Sequence, residues 1–181
     1  MNILLLGSKS QARQQLLKET MIPFKTVSQD ADEQKCDWNL PLEEVVESIA
    51  LYKMEQVILP AGKEGDFCFV LTADTLSVDI DGTIQGKPID REDALAKIRA
   101  ARKGTKLATA FCLDKKIYKA GIWEVEKRIV RVVTSRFRFD IPEEWLERYL
   151  QNSAGFVSSN AIAIEGYGNL FLKDIDGSYS K

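Results

Sequence analysis

NILLLGSKSQARQQLL, residues 2–17, carries the decision about fold class. The run at 2–6 is short, continuous and apolar, as expected of a strand buried on both faces. Gly7 and Ser8 then turn the chain, and Ser8 with Gln11 has the spacing of a capping box. Ala12, Leu16 and Leu17 supply the inner face of the helix that follows. A buried strand that turns directly into an amphipathic helix is how an α/β protein begins.

Working outward, Phe24 to Ser28 reads as a second strand, followed by the acidic loop Asp30-Ala31-Asp32-Glu33. Leu42, Val45, Val46, Ile49, Ala50 and Val57 mark a long amphipathic helix entered through Pro41. Phe67 to Leu71 is a further buried strand, ending in Thr72-Ala73-Asp74-Thr75. Leu76 to Ile80 and Thr83 to Gln85 flank Asp81-Gly82, a two-residue hairpin signal. A helix from about Arg91 to Arg102 comes next, then strand patterns at Leu107 to Leu113, Ile117 to Ile122 and onward to Phe139. In the last of these Phe137 and Phe139 alternate with Arg136 and Arg138, giving one apolar and one cationic face. Pro142 opens a helix with Trp145, Leu146, Tyr149 and Leu150, whose aromatics fit core packing. Ala161 to Ile164 and Leu170 to Leu172 read as two short strands around a glycine-rich loop. Strands and helices mix without strict alternation, so the expectation is one domain over residues 1–181, a mixed sheet wrapped by helices.

Composition limits the chemistry. With 25 basic and 27 acidic residues there is no basic field to drive binding to a nucleic-acid polymer, so any anion must be gripped locally. Cys36, Cys68 and Cys112 are odd in number and lack Cys-x-x-Cys spacing; they read as reduced core thiols of a cytoplasmic protein. The first apolar run is too short for a signal peptide, and nothing approaches the ~20 residues of a membrane span. The chain contains 0 histidines, which excludes serine-hydrolase triads and histidine-based zinc sites. Carboxylates and lysines must carry any catalysis, with a hard cation such as Mg²⁺ held by oxygen atoms.

Polar groups at the ends of buried strands make pockets. Gly7-Ser8 offers backbone N–H groups and a hydroxyl at a helix N-terminus, with the Arg13 guanidinium close in sequence. Asp74 follows the most hydrophobic strand, where an uncompensated carboxylate would be costly. Lys53 lies four residues after Ile49 and three after Ala50, so it projects near the apolar stripe of its helix; its stem can also snorkel outward. Lys87 sits between Gly86 and Pro88. Each of these has a plain structural alternative: a helix cap, a carboxylate satisfying backbone N–H groups, an exposed turn lysine. Together Arg13, Lys53 and Lys87 supply cations, and Glu33 and Asp74 carboxylates, which is the inventory for holding a polyphosphate with a metal ion.

These residues resemble the Maf family of nucleoside triphosphate pyrophosphatases over nearly the whole chain. The family's Leu-Ala-Ser-x-Ser-Pro-Arg-Arg-x-x-Leu-Leu pattern lies over Leu6 to Leu17 here. Glu33 matches its acidic-loop glutamate, Lys53 its helix lysine, Ala73-Asp74-Thr75 its Ala-Asp-Thr and Gly86-Lys87-Pro88 its Gly-Lys-Pro. Ala154-Gly155, Ile164 to Gly168 and Asp176-Gly177-Ser178 are similar to its C-terminal motifs. The resemblance implies the α/β fold of inosine-triphosphate pyrophosphatases, an elongated mixed sheet with flanking helices in two lobes around a cleft. It implies a hydrolase acting on acid anhydrides, which splits the α–β phosphoanhydride to give a monophosphate and pyrophosphate and clears modified or non-standard nucleotides. The cofactor implied is a divalent cation, Mg²⁺ or Mn²⁺, at Glu33 and Asp74. Asp74 would accept the proton of the attacking water, Glu33 would assist, and Ser8, Arg13, Lys53 and Lys87 would hold phosphate oxygens. A homodimer is also implied.

The chain departs from the family at places that bear on substrate. Gln11-Ala12 replaces the Pro-Arg before Arg13, removing one guanidinium contact. Glu165 stands where many members that take thymidine and uridine triphosphates have glutamine, and is similar to the subgroup that prefers 7-methyl-GTP. Thr75 is the residue of the first group, so Ala12, Thr75 and Glu165 leave the base open. The family's histidine and its Asn-Val-x-Gly-Leu-Pro ending are missing, which makes the C-terminal end short after Tyr179-Ser180-Lys181. A second reading is therefore a nucleotide-binding regulator, as in cell division, without turnover.

Overall fold

A computed structural model of the chain describes residues 3–177; Ser178 and the ending at Tyr179-Ser180-Lys181 lie outside the described residues. The strands are β1 (Leu4–Leu6), β2 (Phe24–Thr26), β3 (Phe67–Asp79), β4 (Ile84–Gln85), β5 (Thr105–Lys119), β6 (Ile122–Phe139) and β7 (Leu172–Gly177). They form a seven-stranded mixed sheet flanked by helices, in the order β2-β1-β3-β5-β6-β7 with β4 paired to β3. The helices are α1 (Gln11–Glu19), α2 (Leu42–Glu55), α3 (Arg91–Ala101) and α4 (Leu146–Asn152). Contacts divide the chain into two compact units, one of Met1–Asp74 with Ala110–Val132, the other of Thr75–Thr109 with Val133–Lys181. No helix among the described residues is long and apolar enough to cross a membrane.

In the first unit β1 pairs in parallel with both β2 and β3. Two parallel neighbours explain the unbroken apolar run of the opening stretch, since both faces of such a strand are covered. The helix after it starts later than the capping-box spacing predicts. Ser8 Oγ accepts the Ser10 N–H at 3.2 Å and the Arg13 guanidinium at 3.4 Å, so the turn runs two residues further and Ser10 caps α1. None of α1 is fully buried; Leu16 and Leu17 are half-covered and Ala12 is exposed. α2 buries Leu42, Val45, Val46, Ile49, Ala50, Lys53 and Met54 on one stripe, and Pro41 stands at its N-cap. Val57 lies beyond the helix end, in an isolated bridge with Gln29. Met54 meets Val70 of β3 and Cys112 of β5 in a small core, flanked by Leu5, Leu51 and Val130. Cys112 is buried and the half-buried Cys68 packs against the same core, whereas Cys36 is half-buried outside it.

Further sequence expectations change. The pattern at Ile117 to Ile122 is not a separate strand: β5 runs to Lys119, turns at Ala120-Gly121, both with positive φ, and returns as β6, the long strand expected through Phe139. That pair of left-handed residues is the two-residue hairpin geometry that matches strand twist. In the first unit this hairpin also buries Asp114, which the Arg128 guanidinium holds by paired bonds of 2.7 and 2.8 Å.

The second unit takes the C-terminal part of β3, β4, α3 and the segment after β6. Ser77 faces Gln85 and Val78 faces Ile84 across the β3–β4 hairpin, and the Asp79 N–H donates to Thr83. Three residues therefore form the loop, with Gly82 at φ +87 in its last place, a longer turn than the Asp-Gly signal predicts. Asp90 caps α3 by accepting the Asp93 N–H at 2.8 Å. The core joins Ala94, Leu95 and Ile98 of α3 to Phe137 and Phe139 of β6 and to Leu146, Tyr149 and Phe171. Phe137 and Phe139 are buried and Arg136 and Arg138 exposed, as the alternation requires. Ala161 to Ile164 is not a strand. Residues 155–171 form a series of tight turns, and β7, antiparallel to β6, begins only at Leu172.

Candidate active site

The first unit brings five of the expected residues together, and β3 organises them. It passes through Thr72-Ala73-Asp74-Thr75 without ending, so Asp74 sits within a 13-residue strand and not at its tip. Thr72 and Asp74 alternate onto the α2 side: the Thr72 hydroxyl donates to the Ala50 carbonyl at 2.8 Å, and Asp74 Oδ1 accepts from Lys53 Nζ at 2.6 Å. Gly7 lies against the same stretch. A Cβ there would stand 2.9 Å from Thr72 Cγ2 and 3.0 Å from Val57 Cγ2, so only glycine lets the β1 turn approach this closely.

Lys53 does not snorkel. It is 7% exposed, and its ammonium also reaches Glu33 Oε1 at 2.7 Å. Both carboxylates are thus gathered on one cation. An ammonium has three N–H donors, so two carboxylate partners leave one for another oxygen. Glu33 begins a turn of 3-10 helix capped by Asp32, and the Trp38 indole N–H donates to the Glu33 carbonyl at 3.1 Å. Trp38 is a positioning contact that sequence reasoning missed; the indole five residues beyond the acidic loop was the only available signal. Arg13 and Ser8 close the group, with Ser8 8% exposed.

The electrostatics follow from this burial. Desolvation pushes the Asp74 carboxyl above its ordinary range; the Lys53 charge and hydrogen bond pull it back, Glu33 raises it, and Arg13 lowers it. Burial likewise lowers the Arg13 guanidinium, against the opposing charges of Asp74 and Glu33. A carboxylate held above its usual range is better matched to taking a proton near neutral pH. Asp74 Oδ2 is buried, and no protein donor among the described residues reaches it. That orphan acceptor, with Glu33 beside it, suits a small hard cation that keeps water and substrate oxygens in its shell. Among the described residues no group of three or more histidine, cysteine, aspartate or glutamate side chains is placed to hold a metal ion.

Of the other expected residues, Thr75, Lys87 and Glu165 belong to the second unit and Ala12 to the first. The Thr75 hydroxyl bonds that of Thr109 at 3.1 Å. Lys87 is exposed just after β4, its carbonyl accepting from Lys97 Nζ at 3.3 Å. Glu165 is exposed ahead of the Gly166–Phe171 turns, with its carbonyl accepting the Gly168 N–H at 3.2 Å. Ala12 is exposed in the first turn of α1 of the first unit and offers no polar group.

Comparison with known proteins matches residues 3–181 to the family described as Maf-like protein. The chain is 32% identical over 180 residues to a dTTP/UTP pyrophosphatase of Fusobacterium nucleatum, covering 97% of this chain and 85% of that protein. It is 31% identical over 182 residues to a dTTP/UTP pyrophosphatase of Caldicellulosiruptor saccharolyticus, covering 99% and 86%. A nucleoside triphosphate pyrophosphatase of Prochlorococcus marinus is 29% identical over 191 residues, covering 98% and 89%.

Proposed function

The chain belongs to the Maf family, and from that premise we propose that it is a nucleoside triphosphate pyrophosphatase. The observation that carries the reading is the buried Asp74, held by Lys53 together with Glu33, with one oxygen that no described residue partners. A water oxygen attacks the α-phosphorus while the water gives a proton to Asp74. The bridging bond between the α and β phosphates breaks, pyrophosphate leaves, and the nucleoside monophosphate remains. Lys53, Arg13 and Ser8 hold phosphate oxygens and meet the charge that grows there; in the second unit, Lys87 is a phosphate-binding cation in its own right. Asp74 and Glu33 would hold a divalent cation, which when bound supplies charge neutralisation on the phosphates. Dependence on Mg²⁺ or Mn²⁺, a homodimer and a cytoplasmic location belong to the same proposal. The names of the relatives favour turnover over a regulator that binds without it.

For the base, Thr75 and the relatives named dTTP/UTP pyrophosphatase support pyrimidine triphosphates. Glu165 supports a second reading, 7-methyl-GTP, because a carboxylate accepts a guanine's N–H donors and attracts a cationic base. The test is pyrophosphate release from ordinary and modified triphosphates with Mg²⁺ or Mn²⁺, with Asp74→Asn beside the wild type. Release that Asp74→Asn abolishes is expected. No release from any triphosphate would overturn the enzyme reading, and full activity in Asp74→Asn would remove the role given to Asp74.

A further inference from the structure

Asn160 is fully buried in the second unit and takes a left-handed backbone, φ 57, followed by Ala161 at φ 56. Asparagine tolerates this conformation and alanine does not, so surrounding contacts must hold the pair in place. Those contacts reach in two directions. Toward β4, the Asn160 N–H donates to the Gly86 carbonyl at 2.9 Å, one residue before Lys87. Its amide Nδ2 donates to Asp79 Oδ1 at 2.9 Å, while Asp79 Oδ2 takes the Gln85 amide at 2.9 Å. The neighbouring Ser159 hydroxyl donates to the Gln85 carbonyl at 2.7 Å. Toward Glu165, the chain after Asn160 is fixed by Tyr149, whose hydroxyl donates to the Ala161 carbonyl at 3.1 Å and accepts the Ala163 N–H at 2.8 Å. Gly168 packs so tightly that a Cβ there would stand 1.7 Å from the Ala163 carbonyl oxygen.

We propose that the Asp79–Asn160 pair is a positioning device that fixes Lys87 and Glu165 relative to each other, and so sets substrate affinity and base selectivity without taking part in the chemistry at Asp74. The proposal rests on the reading that Lys87 grips phosphate and Glu165 reads the base. An amide is required at 160 because its N–H donors face a carboxylate; its Oδ1 has no partner among the described residues, so donation is the side chain's role. Burial pushes the Asp79 carboxyl up and the Asn160 and Gln85 bonds pull it back. A carboxylate at 160 would set two acids against each other, whereas exchanging the two residues restores one acid and one amide.

The experiment compares Asn160→Gly, Asn160→Asp and the exchange Asn160→Asp with Asp79→Asn, using dTTP, UTP and 7-methyl-GTP, with thermal melting to identify folded variants. Asn160→Gly keeps the left-handed backbone and the N–H to Gly86 and loses only the amide. We expect KM to rise about tenfold with kcat within about twofold, the ratio of kcat/KM between bases to flatten, and the exchange to recover both. A folded Asn160→Gly with wild-type KM and base ranking overturns the proposal, as does a fall in kcat at constant KM. Where Asn160→Gly does not fold, the exchange decides: a folded exchange variant with wild-type KM and ranking supports the pairing, and failure to recover them overturns it. Lys87→Ala and Glu165→Gln run in parallel. If these change KM and ranking while Asn160→Gly does not, the positioning role alone fails; if they change neither, the reading beneath it fails and the proposal falls with it.

Discussion

Replacing Lys53 with methionine isolates what the cation does for the site. Methionine keeps the unbranched stem within the apolar stripe of α2 and removes the ammonium that reaches Asp74 at 2.6 Å and Glu33 at 2.7 Å. Glu33 is 44% exposed at its side chain, so water takes over its solvation. Asp74 is 6% exposed and has no such recourse. Removing one partner of a buried pair costs about 3–5 kcal/mol, and the nearby Arg13 charge, which lowers the Asp74 carboxyl, argues for the low end, about 3 kcal/mol at pH 7. For a chain of this size that is a fall in Tm of about 6–12 °C. The pH dependence has a definite sign. Burial already raises the folded-state pKa of Asp74, and Lys53→Met removes the largest opposing contributions, raising it further. Stability from such a group is complete below its unfolded pKa and is lost as pH rises through the folded one. The deficit of the variant is therefore smallest near pH 4 and grows toward pH 8, and adding Asp74→Asn removes most of it. Urea unfolding of wild type, single and double variants across that range measures this. A deficit under about 1 kcal/mol at pH 7, a deficit independent of pH, or no recovery in the double variant would refute the electrostatic account.

Glu165→Gln is expected to shift the ratio of kcat/KM toward dTTP and UTP and away from 7-methyl-GTP; an unmoved ranking would show that Glu165 does not read the base. Tyr149→Phe leaves the buried Ala163 N–H without its acceptor at 2.8 Å, and urea unfolding should show a loss of about 1–3 kcal/mol at unchanged m. Gly168→Ala forces a Cβ to within 1.7 Å of the Ala163 carbonyl oxygen, and a loss of about 3 kcal/mol in the same assay is expected, where a wild-type midpoint would contradict the packing described.

Much of the site was legible because its parts sit in local patterns with a physical meaning. The glycine turn after β1, the stripe of α2 and the apolar run of β3 each announce themselves by spacing and by residue type. What misled was reading polarity as an ending. Thr72-Ala73-Asp74-Thr75 interrupts an apolar run, so the strand was expected to stop at Leu71, yet β3 continues to Asp79. The reason is a partner 21 residues away: Lys53 satisfies the charge of Asp74, and a carboxylate so paired can sit within a strand. Ala161 to Ile164 failed in the opposite direction. It read as a short strand beside a glycine-rich loop, but Asn160 and Ala161 in the left-handed region turn the chain into consecutive tight turns.

By itself, then, the sequence determined the α/β class, the helix and strand stripes, the absence of histidine chemistry and the identity of the charged residues available for a phosphate substrate. These are fixed by periodicity and composition, which act over a few residues. Only the tertiary structure decided that Lys53 points inward to two carboxylates, that Asp74 is buried with one oxygen that no described residue partners, and that the buried Asn160 donates its N–H to the Gly86 carbonyl beside Lys87. Those facts depend on desolvation and on hydrogen bonds between residues far apart in the chain, and no local pattern encodes either.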